Sequence, residues 1–505
     1  MYWLRQSIPH MIPFIIISLV SWLGGWLLAT HALRLRSRER LAAGLGLGVV
    51  LYTVLCNLLA YIMGSTWAFI LAAGVVLGLG LLSAWNSKKP WFNLEDLHAW
   101  PQVLVVFIIG AVFTLILRGL AIWDDYHNLP IVSTIAAGNF PPQYYLDPSI
   151  PLSYHYGLHV FAASMVSVGG LTPWSAWDIA RGFTTALAIL LAWLWFKRVT
   201  KSDLAAYFGA TLLTFGSGTL WLLSLLPDKL LQWISAHTPL ANSALDSGPS
   251  LVANLSRPFL FEGGPPFPMP FSFLGSLFAP VVINWQGIAS LYLVCIFLLL
   301  LENERKRFSV IPILVSALVF ALIALNAEHV YGLFLAGLFL TVLIFAIWNW
   351  RVKKEWFQGL GRITATLILS LVIVLFQGGV LTVLFQNLLH GNSANSSQGL
   401  GTAGFFFRWP PALVATFFQP LSIFDPAQLI VGLAEIGPAL FLIPIVVYWV
   451  WKLGKRGHLV EAGLGLAGLL GFFLSLFIHY HVERDTSRIT SFGLQVFLIV
   501  SVPSL

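Results

Sequence analysis

Apolar runs of roughly twenty residues, each closed by a short polar or basic cluster, recur along the whole chain. A helix of about that length crosses a hydrocarbon core of about 30 Å. The pattern predicts spans over residues 12–32, 41–63, 67–85, 102–121, 174–196 and 204–226. Further spans are expected over 285–301, 310–325, 330–350, 363–388, 427–451, 459–478 and 489–502. The chain therefore reads as an all-α polytopic membrane protein of about 13–14 transmembrane helices. The first run is too long for a secretory signal core, and Arg34, Arg36, Arg38 and Arg40 follow it in place of a cleavage site, so it is expected to be a retained span. Segment 154–170 is also apolar enough to cross, yet a crossing there would separate Lys197 and Arg198 from the other basic clusters. A re-entrant or interfacial helix is expected instead.

Composition narrows the class. Of 505 residues, 58% are hydrophobic and 9% charged, against about 25% charged in ordinary soluble domains. Such a chain cannot dress a water-facing surface. The net charge of +7 would suit nucleic acid, but most basic residues sit in short clusters between apolar runs, so no nucleic-acid partner is expected. The clusters are Arg34/36/38/40, Lys88/89, Lys197/Arg198/Lys201, Arg305/Lys306/Arg307, Arg351/Lys353/Lys354 and Lys452/Lys455/Arg456. The positive-inside rule assigns them to the cytoplasm and sends loops 123–153, 227–284, 390–420 and 481–488 to the other side. Cys56 and Cys295 lie within apolar runs and read as small buried hydrophobes.

The first of those loops opens with Trp123-Asp124-Asp125-Tyr126-His127-Asn128. Two adjacent carboxylates at a membrane edge are costly unless hydrated, paired or bound to something. At helical spacing Asp124, His127 and Asn128 share a face, an arrangement suited to a general base that takes a proton from an acceptor hydroxyl. An acidic helix start that caps free N–H groups explains the same residues equally well. A short helix is expected over 131–138, followed by Asn139-Phe140-Pro141-Pro142, Tyr144-Tyr145, Asp147-Pro148 and Pro151-Leu152-Ser153-Tyr154-His155-Tyr156-Gly157.

This stretch resembles the first external loop of the membrane-embedded glycosyltransferases of the GT-C superfamily, among them protein O-mannosyltransferases and bacterial aminoarabinose transferases of lipid A. The resemblance is clear over residues 117–181 and elsewhere is one of architecture. It matches Asp124 to the family's catalytic base, Asp125 to its acidic neighbour, 138–142 to its Gly and Pro-rich turn, and His127 to a position where the mannosyltransferases carry a His. It also implies an inverting reaction and divides the chain into N-terminal helices over 1–101 and a GT-C-like catalytic module over 102–505. Two features depart from the family. Three spans precede the one that leads into the loop here, whereas the family's module usually begins with that span, and in the family the segment after the loop crosses the membrane.

Other residues on the same predicted side extend the candidate site. His155 and His159, four apart, could share a metal on one helix face, but no third ligand has readable spacing, and a place beside the substrate, with Tyr154, is the preferred expectation. Glu262 is the acid of a Pro- and aromatic-rich loop over 257–270, either a lid residue or a solvated one. Glu328 and His329 begin a span, as substrate contacts or as polar groups reaching the interface. In the run 479–488, Arg484 and Arg488 are candidates to hold a phosphate, with His481 and Arg408 behind them; self-pairing with Glu483 and Asp485 is the alternative.

The expected function is sugar transfer from a polyprenyl-phosphate donor to a glycan, lipid or protein acceptor, at the non-cytoplasmic face of the plasma (inner) membrane. No cofactor is expected, although the acid pair has the chemistry to hold a divalent metal. A transporter or lipid flippase is the rival class, and a scaffold subunit a third. Transporters usually carry internal repeats and mid-membrane ionisable groups, and no repeat is visible here. The topology has a direct check: a cysteine at position 200 should be shielded from a membrane-impermeant maleimide added outside intact cells. Labelling there would place that loop on the opposite face.

Overall fold

The computed structural model describes residues 2–87, 90, 94–119, 125–215, 218–241, 248–256, 258–260, 266–268, 310–352, 360–389, 405–415, 418–480 and 483–501. Its helices are α1 (Tyr2–Leu27), α2 (Ser37–Met63), α3 (Ser65–Trp85), α4 (Leu94–Leu97), α5 (Trp100–Gly119), α6 (Asp125–Ala136), α7 (Gly157–Ser167) and α8 (Pro173–Thr200). There follow α9 (Asp203–Phe215), α10 (Asp228–His237), α11 (Leu251–Ser256), α12 (Val310–Asn326), α13 (Glu328–Val352), α14 (Leu360–Phe376) and α15 (Gly379–Leu389). The last four are α16 (Pro426–Ile436), α17 (Ile443–Lys455), α18 (Leu459–Phe477) and α19 (Glu483–Ser501). Among the described residues, strands occur only as antiparallel pairs of two to five residues, such as β1 (Gln143–Tyr144) with β2 (Asp147–Pro151).

Eight helices among the described residues are long and apolar enough to cross a membrane, or nine segments if the bent pair α14 and α15 counts as one span. The chain is thus an all-α polytopic membrane protein. Several expected spans differ from the observed elements. Residues 204–226 form the 13-residue α9 and then a separate 3-10 turn over Leu220–Leu225. The expected span 363–388 breaks after Phe376 with a bend of 78°. The expected span 285–301 lies outside the described residues. Segment 154–170 contains the 11-residue α7, about 16 Å long and too short to cross a bilayer alone.

Two compact units divide the chain: Met1–Trp195 with Ile288–Tyr331 and Gln358–Gly391, and Phe196–Gly287 with Gly332–Phe357 and Asn392–Leu505. In the first, α1, α2 and α3 pack through glycines. A Cβ on Gly44 would lie 2.6 Å from Trp26 Cα, one on Gly48 2.5 Å from Ser21 O, and one on Gly80 2.7 Å from Gly24 O. Small residues matter here because lipid offers no hydrophobic drive between helices, and close backbone approach supplies the dispersion contact. In the second unit, Gly337 of α13 meets Gly463 of α18, and Gly493 of α19 meets Gly468 in the same manner. Some hydroxyls within the helices donate to carbonyls one turn back, as Thr53 does to Val49 O (2.8 Å) and Thr114 to Gly110 O (2.7 Å), which satisfies those donors within their own helix.

The break between α14 and α15 is the main irregularity inside the first unit. The released carbonyl of Gln377 accepts from Asn57 Nδ2 of α2 at 2.7 Å and from the Tyr156 hydroxyl at 3.1 Å. The Gln377 side chain donates to Ala321 O of α12 at 2.9 Å. Thr382 Oγ1 accepts from the Gly378 N–H (3.0 Å) and donates to Val374 O (2.7 Å). Gly378 has φ +89°, and a Cβ there would collide with the hydroxyls of Tyr156 and Tyr61. Gly378→Ala should therefore destabilise the protein by about 2 kcal/mol or more, from the left-handed backbone alone plus the clash. A thermal melt in detergent that matched the parent would refute this account of the break.

Candidate active site

The acidic stretch sits where α5 gives way to α6. Residues 120–124, Asp124 among them, lie outside the described residues, and α6 begins at Asp125, whose side chain is likewise not described. One face of α6 buries Ile131, Val132 and Ile135 against α3 and α7. Pro130 lies within the helix; it has no N–H to give to the carbonyl of residue 126, so the first turn has one fewer backbone bond. At the other end Gly138 adopts φ +96°, where the chain leaves the helix. Asn139 N bonds Thr134 O at 3.0 Å and Gly138 N bonds Ile135 O at 3.1 Å, which closes the free carbonyls. The helix expected over 131–138 thus starts earlier and takes in His127 and Asn128.

Side chains compensate for the weakened first turn. The ring of His127 lies edge-on to Tyr154 at 4.7 Å between centroids, and its Nδ1 is 3.1 Å from the Tyr145 hydroxyl at the β1–β2 turn. Asn128, 1% exposed, accepts at Oδ1 from His159 Nε2 at 2.9 Å, and His159 is fully buried. That bond fixes the hydrogen of His159 on Nε2. The His159 ring stacks on Trp177 of α8 at 4.5 Å and 26°. Burial holds the His159 imidazole well below its usual range, and the rings of His155 and His127 push the same way, so it is neutral at pH 7. In the hairpin, the exposed Asp147 accepts from Ser149 N (3.1 Å) and Ser149 Oγ (2.6 Å), which lowers its carboxyl below the ordinary range.

The residues 154–157 gather the rest. Tyr154 stacks closely on His155 (3.9 Å between centroids). His155 Nδ1 lies 3.6 Å from Glu328 Oε2, at the first residue of α13, and Tyr156 reaches the α14–α15 break. His155 precedes α7 while His159 lies within it; both rings adjoin Tyr154, His155 reaching on to Glu328 and His159 to Asn128.

His127, Tyr154, His155, His159 and Glu328 are therefore brought together in one unit, with the half-buried His329 beside Glu328. Arg408, Arg484 and Arg488 belong to the second unit. There the N–H of Arg408 bonds Phe477 O at 2.6 Å, and β3 (Phe405–Phe407) pairs with β4 (Ile478–Tyr480), so Arg408 adjoins the chain leading into α19. The side chain of Arg484 is not described, Arg488 is half-buried, and Glu262 and His481 lie outside the described residues.

A second charged group escaped the sequence reading. Arg118, at the end of α5, lies over the Trp174 ring at 4.7 Å, with Nη1 3.4 Å from Asp178 Oδ2. Arg181 lies 5.9 Å from the centroid of Trp177, the ring that carries His159. The signal was legible: Asp178 and Arg181, three apart inside an apolar run, are costly in a membrane without a partner or a task.

Comparison of the chain with protein-family models, with curated proteins and with solved structures finds no match. Its class rests on its own helices. An imidazole that stays neutral when folded but gains a proton on unfolding makes unfolding take up protons, so stability should fall as pH drops below about 6.5. In detergent melts between pH 7 and 5 this group contributes a slope of up to about 1.4 kcal/mol per pH unit. His159→Gln, which keeps a donor for Asn128, should flatten the slope. An equal slope in the variant would remove His159 as its source.

Proposed function

We propose that the chain is an inverting membrane glycosyltransferase of the GT-C type, which moves a sugar from a polyprenyl-phosphate donor to an acceptor hydroxyl on the non-cytoplasmic side. The observation that carries this reading is the setting of the acid pair. It directly follows a span, and the helix turn that begins at Asp125 is held by Asn128 to His159 and by His127 to Tyr145. Such anchoring suits residues that must hold a nucleophile within about half an ångström of its productive position.

In this mechanism Asp124 takes the proton of the acceptor hydroxyl as its oxygen attacks the anomeric carbon from the face opposite the phosphate. The bond from that carbon to the phosphate oxygen breaks with its electron pair, leaving polyprenyl phosphate. Asp125 and His127 orient the acceptor or the sugar. Cations hold the charge that develops on the phosphate. Arg484 and Arg488 are the sequence-derived candidates, and Arg118 is a third, in the same unit as α6. A donor that arrives through the bilayer accounts for the apolar character of the enzyme.

One observation favours a transporter or lipid flippase: the polar break between α14 and α15, since broken helices commonly line substrate paths in transporters. Proteoliposomes separate the readings. With a panel of sugar-linked polyprenyl phosphates, the parent should yield a glycosylated acceptor, and Asp124→Asn should lose at least about a hundredfold in rate, the range of a general base. Full transfer by the variant would dismiss Asp124 as base, and lipid translocation without transfer would favour the flippase.

A further inference from the structure

Helix α17 ends in Lys452 and Lys455, and both ammonium groups are held by aromatic faces. Lys452 Nζ lies 4.4 Å from the Trp449 centroid and 5.3 Å from that of Tyr448. Lys455 Nζ lies 4.3 Å from Trp451 and 5.3 Å from Trp348 of α13. The two helices meet closely at this end: Gly454 has no room for a Cβ against the Phe345 ring, and Phe345 and Trp348 lie 5.7 Å and 6.4 Å from Trp451. The cage therefore spans two helices of one unit.

Aromatic faces and the negative end of the helix dipole favour the ammoniums but do not neutralise them. Among the described residues neither lysine has a carboxylate within ion-pair distance, and the nearest acid in sequence, Glu461, pairs with His458 at 3.2 Å. The exposed Arg456 and Arg351 add charge of the same sign. Beside the lysines, Val447, Tyr448 and Trp451 present exposed apolar surface along the span. An anionic headgroup with acyl chains satisfies both halves of this surface, whereas a free anion satisfies only the charged half.

We propose that the lysine end of α17, with Trp348 of α13, binds the phosphate of one anionic phospholipid whose acyl chains run along α17. The two ammoniums are pre-oriented, so the phosphate gains two charge-assisted contacts with little loss of side-chain freedom. This site stands apart from the proposed sugar transfer.

Native mass spectrometry of the full purified chain, with dioleoyl-phosphatidylglycerol or dioleoyl-phosphatidylcholine added, tests it. The parent should retain one phosphatidylglycerol and no comparable phosphatidylcholine. Lys452→Gln with Lys455→Gln should lower that retention about tenfold or more, Trp451→Leu should lower it as well, and Lys452→Arg with Lys455→Arg should restore it. Lys201→Gln with Lys229→Gln removes the same charge elsewhere and should change nothing. Equal retention by the Gln pair, equal retention of both lipids, equal loss in the control pair, or displacement of the lipid by millimolar inorganic phosphate would each overturn the proposal.

Discussion

A buried carbonyl released from its helix must find a donor within the protein, and the first unit is organised around one such group, that of the 1% exposed Gln377. Gln377 O receives Asn57 from α2 and Tyr156 from the segment ahead of α7, while its own side chain reaches back to α12. Each unsatisfied group of this kind would cost several kcal/mol in hydrocarbon. The partners are therefore not free to move. The break in one helix fixes the positions of three other elements.

That constraint reaches the candidate site through three consecutive residues. With Tyr156 held at the break, His155 is set against Glu328 and Tyr154 against His127. Two further links come from the other direction, as Trp177 of α8 supports His159 and His159 holds Asn128. The start of α6 is thus held by buried groups on α7 and α8 and by the half-buried Tyr145 of the hairpin.

The membrane class was legible because apolar length is a one-dimensional property of the sequence: α2, α3, α5 and α8 begin and end close to the expected limits, and the first candidate span, Met11–Ala32, does so too. The break at 377–378 was not, because Gly378 and Gly379 inside an apolar run also occur in continuous helices, and only Asn57 and Tyr156, far away in sequence, make the bend affordable. The pairing of His155 with Glu328 across 173 positions was invisible for the same reason. Spacing suggested that His155 and His159 shared a face, but it could not reveal that the helix begins only at Gly157. Asp178 and Arg181 were visible as charges in a span, while their link to Trp177 and Arg118 needed the fold.

Pro130 gives the start of α6 a mechanical character of its own. With one fewer rung in its backbone ladder, the turn that begins at Asp125 is more compliant than the rest of the helix, and its shape is dictated by what grips His127 and Asn128. Stiffness there is borrowed from neighbouring elements, so anything that shifts Tyr145 in the hairpin or Trp177 in α8 is transmitted to the acid-bearing turn as displacement. The remainder of α6, anchored by Ile131, Val132 and Ile135, stays in place.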